Sequence, residues 1–224
     1  MVLNAQKGNM YGFITHTWNP VKGECQHNCA YCYMKRFPQR QLRLVEKELE
    51  DDLGEGHFIF VGSSTDLFAK DVPNEWIRAT LQHCKNYPKN KYLFQSKNPT
   101  RFIDFKEDYP HDVVFGTTIE TNDTAYLASI SRAPNPYDRA QAIKALRESG
   151  YETMITIEPI IEFDLPAFTA LLADARPNKI AIGADSNSRH SLREPNKEKT
   201  LALIQTLRLF TEVYLKPNLD RVTK

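Results

Sequence analysis

The chain has 224 residues, enough for one domain, 1–224, with a full core. Its 29 basic and 28 acidic residues nearly cancel, so bulk charge selects no partner. Four cysteines, three of them within eight residues, exclude a disulfide framework and are expected as reduced thiols in the cytoplasm. The start, Met1 to Lys7, lacks the apolar core of a signal peptide, and no apolar run approaches about 18 residues, so no membrane contact is expected.

In chain order, Tyr11 to Trp18 reads as a strand. Gln41 to Leu53 reads as a helix, with Leu42, Val45, Leu49 and Leu53 at helical spacing. Phe58–Val61 is a short buried strand, and Pro73 to Tyr87 a helix with Pro73 in its first turn. Lys91 to Ser96 is a strand, followed by a short helix from Pro99. Val113 to Ile119 is a strand, and Tyr137 to Ser149 a helix closed by Gly150. Then come a strand Thr153–Ile157, a helix Leu165–Asp174 and a strand Ile180–Gly183. A helix from Asn196 to Phe210 and a strand Val213–Leu215 finish the chain.

This is a strand–helix unit repeated about six times with a closing strand. Continuous apolar strands between helices predict a parallel sheet covered on its outer face. A full eight-fold barrel takes about 250 residues. An incomplete, curved (β/α)6-type parallel barrel is therefore expected, with a flat doubly wound sheet as the alternative. No glycine-rich phosphate fingerprint follows the first strand, which disfavours a dinucleotide fold.

The organising stretch is Gly23-Glu24-Cys25-Gln26-His27-Asn28-Cys29-Ala30-Tyr31-Cys32-Tyr33, directly after Thr17-Trp18-Asn19-Pro20. Thiolates at C-x3-C-x2-C spacing on one loop can converge on one metal centre. Three of them hold three irons of a [4Fe–4S] cluster and leave the fourth iron open. The alternative is a closed Cys3His zinc site completed by His27 or His16, a non-enzymatic binding module. Zinc modules bring two ligand pairs from separated segments, and the sequence has no second pair.

In barrels of this kind the site lies at the C-terminal ends of the strands. Polar residues collect there: His16 and Trp18; Ser63, Ser64 and Asp66; Gln95 and Lys97; Thr118 and Glu120; Glu158; Asp185; Lys216 and Asn218. Period-two alternation puts Met154, Thr156 and Glu158 on one face, with Ile155 and Ile157 toward the helices. It also groups Gly116, Thr118 and Glu120. Glu158 is expected inside the barrel mouth, either receiving a ligand or paired with Lys216 or Lys97. Asp66 has the alternative of capping a loop or helix. Cys84, on the face of Ile77 and Leu81, reads as a core thiol. His27 reads as a neighbour of the centre rather than a ligand. His190 reads as solvent-exposed or as a contact to substrate phosphate. Lys35, Arg36, Arg40 and Arg43 read as a solvated face or as a nucleic-acid-facing rim.

The pattern C-x3-C-x-aromatic-C, with Tyr31 as the aromatic, resembles the signature of the radical S-adenosylmethionine superfamily. Several further segments resemble one radical-SAM-type family of unassigned activity, common in phage and bacterial genomes. They are Thr17–Pro20, Ser64–Phe68, Val72–Trp76, Ser96–Arg101, Gly116–Glu120, Ile157–Ile160 and Lys216, so the resemblance runs from about Tyr11 to Lys216. The Cys-x-Tyr-Cys-Tyr ending is similar to the cysteine loop of spore photoproduct lyases. The chain departs in having Gly62-Ser63-Ser64-Thr65-Asp66 where many superfamily members carry Gly-Gly-Glu, and Gly183-Ala184-Asp185 after the sixth strand.

The resemblance implies that Cys25, Cys29 and Cys32 hold a [4Fe–4S] cluster completed by S-adenosyl-L-methionine. Cleavage of that cofactor, driven by an external one-electron reductant, gives a 5′-deoxyadenosyl radical. It places Ser63, Ser64 and Asp66 at the cofactor's amino group, Lys97 at its carboxylate and Glu120 at its ribose. Tyr31 and Thr118 join the cofactor-binding set, and Glu158 and Lys216 the catalytic one. The implied substrate is a nucleic acid or nucleotide, with a peptide or small metabolite as the alternative.

Overall fold

The structure, a computed structural model, describes residues 3–6, 8–186 and 192–224. Seven strands run parallel in one sheet: β1 (His16–Trp18), β2 (Phe58–Val61), β3 (Lys91–Gln95), β4 (Val113–Thr118), β5 (Glu152–Ile157), β6 (Lys179–Ile182) and β7 (Glu212–Leu215). They pair in sequence order, and Asn4–Ala5 adds an antiparallel edge outside β1. The connections carry α1 (Asn74–Lys85), α2 (Thr124–Ile130), α3 (Pro136–Glu148), α4 (Leu165–Ala175) and α5 (Lys197–Leu207). A 3-10 helix over Pro99–Phe105 fills the crossover from β3 to β4. This is an α/β fold, an incomplete parallel barrel. Among the described residues no helix is long and apolar enough to cross a membrane.

Alternation along the strands divides the apolar residues between two cores. Ile59, Val61, Tyr92, Phe94, Phe115, Ile155, Ile157, Ile180 and Ile182 pack outward against the helices. Phe60, Leu93, Val114, Met154 and Ala181 point the other way and fill the barrel interior with Tyr11 and Ile14. Met154 and Thr156 thus share the inner face and Ile155 and Ile157 the outer one. The open side is bridged by side chains: Tyr214 Oη of β7 accepts the Gly12 N–H at 2.8 Å, and its ring meets Phe13 edge-on at 5.6 Å.

Two local expectations fail. Residues 41–53 are not a helix. Arg43–Leu44 pairs antiparallel with Val21–Lys22, and Glu46–Glu50 forms a 3-10 turn. The backbone is spent on this ribbon: Glu24 N–H donates to Arg40 O, and Val45 N–H to Pro20 O. Gly23 makes the approach feasible, since at φ +119° a Cβ there would sit 2.5 Å from Gln41 O. The apolar period comes from Leu53, which is buried in the core, and Leu42 and Leu49, which pack against it. The first strand is shorter than expected, because Ile14 N–H closes a turn onto Tyr11 O and Tyr11 plugs the barrel interior.

Candidate active site

The cysteine loop is held from three directions. Its own turns run from Asn28 N–H to Cys25 O and from Cys32 N–H to Cys29 O. Asn28 takes φ +43°, a left-handed conformation asparagine tolerates. The segment after α2 then docks alongside: Ala30 N–H donates to Ile130 O and Arg132 N–H to His27 O, each at 2.7 Å. Asp66, in the turn after β2, receives His27 Nε2 and Lys97 N–H on Oδ2, both at 2.8 Å, and Phe68 N–H on Oδ1. Burial would raise the Asp66 pKa, but His27, the Ser96 hydroxyl and the Lys97 N–H outweigh it and hold the carboxyl below its usual range.

All four cysteines are free thiols, and Cys25, Cys29 and Cys32 line one cavity of about 1220 Å³. Burial, with Asp66 adding to it, pushes the Cys25 thiol up to about 12, although the His27 and Asp66 backbone N–H groups point at its sulfur. Cys29 Sγ lies 3.1 Å from Ser131 Oγ. Among the described residues no three of His, Cys, Asp and Glu converge on a single ion. His27 binds Asp66 through Nε2, so it behaves as the loop's anchor. Three soft thiols on one loop, free and lining one cavity, are a donor set that fits an iron–sulfur group.

The same cavity is lined by Tyr31, Ser63, Ser64, Asp66, Lys97, Thr118, Glu158 and Lys216. Asn19, from the Thr-Trp-Asn-Pro segment, sets the turn after β2. Its Oδ1 accepts Ser64 N–H at 2.8 Å, Ser64 Oγ at 3.0 Å and Ser63 Oγ at 3.2 Å. Thr118 Oγ1 accepts from Gln95 Nε2 at 3.2 Å. Trp18 turns into the outer core, and His16 opens β1 with its ring 4.2 Å from His57, so neither contributes. Cys84 is wholly buried in α1 with the core, as its spacing predicts. His190 lies outside the described residues.

Glu120, which the resemblance sets at the ribose, has three protein side-chain partners. It is wholly buried, bonded to the cavity-lining Tyr31 and Lys97. Tyr31 Oη and Lys97 Nζ both donate to its Oε1, and Arg139 donates to its Oε2 at 3.0 Å. Burial opposes the charge on Glu120, but Arg139 and Lys97 prevail and depress its pKa far below the carboxylate range. Burial likewise disfavours the Lys97 ammonium, and the charges of Cys29 and Glu120 restore it and raise its pKa. Lys97 Nζ also reaches Tyr31 Oη at 2.8 Å. Arg139 was not among the residues singled out from sequence. Its signal is positional, since it shares the apolar face of α3 with Ile143 and Leu146, where an arginine needs a buried acid.

Glu158 stands at the cavity wall with Lys216, not Lys97, as its cation. Lys216 Nζ donates to Oε2 at 2.5 Å, while Asn9 and Asn218 donate to Oε1 at 2.8 and 2.9 Å. Gly183 provides the room: a Cβ there would come within 2.7 Å of Glu158 Oε1. Beneath the pair, Tyr11 Oη donates to Gln95 Oε1 at 2.9 Å and lies 2.7 Å from Thr156 Oγ1. Burial, then the Glu158 charge, raise the Tyr11 phenol's pKa. At the rim, the Arg36 guanidinium lies 5.0 Å from the Phe37 ring and 5.6 Å from the Tyr33 ring. Both aromatics are exposed. Lys35, Arg36 and Arg132 line the entrance; Arg40 and Arg43 are exposed nearby.

Comparison with known proteins bears on the fold. No curated protein matches the chain. A spore photoproduct lyase with bound AdoMet and a dinucleoside spore photoproduct aligns at TM-score 0.66 and 11% identity, covering 96% of this chain and 80% of that one. SuiB of Streptococcus suis bound to S-adenosylmethionine aligns at TM-score 0.63 and 8% identity, over 89% of this chain and 49% of that one. SuiB bound to the precursor peptide SuiA gives TM-score 0.66 at 8% identity, over 89% and 48%. These structures share the partial-barrel fold. The sequence model of a family described as "Protein of unknown function (DUF5131)" matches residues 10–135. With more than half of its length matched, the chain belongs to the DUF5131 family.

Proposed function

We propose that this protein is a radical S-adenosylmethionine enzyme, a single domain in which Cys25, Cys29 and Cys32 hold a [4Fe–4S] cluster. The observation that carries the reading is three free thiols of a C-x3-C-x2-C loop lining one large cavity in a partial barrel. When bound, the cluster and S-adenosyl-L-methionine supply one-electron cleavage of the cofactor to a 5′-deoxyadenosyl radical. The chain's own residues bind, orient and shield. Lys97, held protonated by Glu120, offers an ammonium to the cofactor carboxylate, and Tyr31 is fixed beside it. Ser63 and Ser64, set by Asn19, and Thr118 present hydroxyls to the cofactor's polar groups. Asp66, with its oxygens already engaged, serves to hold the loop.

Glu158 and Lys216 form the catalytic pair on the substrate side of the cavity. The substrate is a nucleic acid or nucleotide, supported by the basic entrance and by exposed Tyr33 and Phe37 beside Arg36. Cys84 is locked in α1, away from the cavity, and an external one-electron reductant supplies the electron. The test is anaerobic reconstitution with S-adenosylmethionine, a chemical reductant, and single-stranded DNA or RNA. Cofactor-dependent 5′-deoxyadenosine that rises with nucleic acid supports the reading. Stimulation by peptides or small metabolites alone would reassign the substrate, and no 5′-deoxyadenosine under any condition would refute the activity.

A further inference from the structure

We propose that Ser131 sets the reduction potential of the iron–sulfur centre by donating a hydrogen bond to Cys29 Sγ. The inference rests on the reading in which Cys29 is an iron ligand. Ser131 lies between the two backbone bonds that dock residues 130–132 on the cysteine loop, and it is buried. Its Oγ is 3.1 Å from Cys29 Sγ and also accepts Ala133 N–H at 3.1 Å. A hydroxyl has one proton and two acceptor lone pairs, and the Ala133 N–H takes one of those lone pairs and leaves the proton unused. That proton is available to a sulfur that carries none. An iron-bound thiolate carries no proton, so in the loaded protein the direction of the bond is fixed, from Ser131 to Cys29.

A donor on a ligating sulfur favours the oxidation state with more negative charge. Reduction adds one electron from the external reductant and moves no proton, since Ser131 keeps its own in both states. Ser131 thereby makes the centre easier to reduce. The Lys97 ammonium, which interacts electrostatically with Cys29, acts in the same sense. Cys25 differs, because the groups aimed at its sulfur are the backbone N–H of His27 and Asp66. At Cys29 the donor is a side chain, so sequence adjusts the potential at this position without changing the loop's path.

The experiment compares full-length wild type, Ser131→Ala and Ser131→Thr, each reconstituted anaerobically. Iron is counted, and the potential is measured by redox titration followed by electron paramagnetic resonance, without S-adenosylmethionine or substrate. Equal iron in all three, a more negative potential in Ser131→Ala and a wild-type potential in Ser131→Thr support the proposal. Equal iron with an unchanged potential in Ser131→Ala overturns it. So does loss of iron in Ser131→Ala alone, which assigns the hydroxyl to holding the loop. A wild type that takes up no iron fails the cluster reading itself, a result distinct from either.

Discussion

Asp66 accepts a hydrogen bond from His27 Nε2 at 2.8 Å, and this contact ties the cysteine loop to the turn after β2. Both side chains are almost wholly buried. Asp66→Asn leaves a buried donor without its acceptor, at a cost of about 1–3 kcal/mol. The folded-state pKa of Asp66 is depressed, so its stabilisation is complete above the unfolded value near 3.9 and is lost as pH falls through the folded one. The melting-temperature gap between wild type and Asp66→Asn is expected to hold steady from pH 7 to about 4.5 and to shrink in stronger acid. A gap that widens in acid would contradict this.

Arg139 and Glu120 form a wholly buried pair on which Tyr31 and Lys97 depend. Arg139→Met removes one partner and is expected to destabilise the fold by about 3–5 kcal/mol. Denaturant unfolding measures it. The double variant Arg139→Met with Glu120→Gln should recover part of the loss. Full additivity of the two single losses would show that the pair is not coupled.

Gly183→Ala should reproduce the effect of Glu158→Gln without altering any charge, because its Cβ would intrude on Glu158 Oε1 and on Asn218 Oδ1 at 2.9 Å. Both variants are expected to keep their iron and lose turnover. Glu158→Gln should also lower the melting temperature, since Lys216 would keep a buried ammonium beside a neutral amide. Full turnover in Gly183→Ala would show that the position of Glu158 is unimportant.

Nucleic-acid binding at the entrance should weaken with salt and with loss of the stacking platform. Tyr33→Ala and Phe37→Ala should each reduce affinity for single strands by about 1–3 kcal/mol, read by fluorescence anisotropy. Arg36→Gln should lower the slope of log affinity against log salt by roughly one contact's worth. Affinity that does not respond to salt would remove nucleic acid as the substrate.

Period-two alternation and helix spacing made the order of strands and helices legible, along with the two faces of β5 and the burial of Cys84. Each is a local pattern read out by a repeating element. Residues 41–53 misled because their leucines are buried at helical intervals while their backbone pairs with Val21–Lys22. That pairing depends on Gly23, some twenty residues upstream. In the site, the cysteines stand out in the sequence by their C-x3-C-x2-C spacing, and Glu158 because it ends an apolar run. The division of partners was not. Lys216 finds Glu158 and Lys97 finds Glu120 across strands, and Arg139 reaches Glu120 from an outer helix. Such pairings depend on barrel curvature, which no single segment encodes.

The central claim is that Cys25, Cys29 and Cys32, and not Cys84, hold a [4Fe–4S] cluster. The direct measurement is iron and sulfide per chain, with the electron paramagnetic resonance spectrum of the reduced protein, after anaerobic reconstitution of wild type and the four single Cys→Ala variants. The account predicts about four irons and four sulfides in wild type and in Cys84→Ala, with a cubane-type reduced signal, and loss of both when any of the other three is changed. Stoichiometric zinc in place of iron, or an intact cluster in Cys29→Ala, would contradict it.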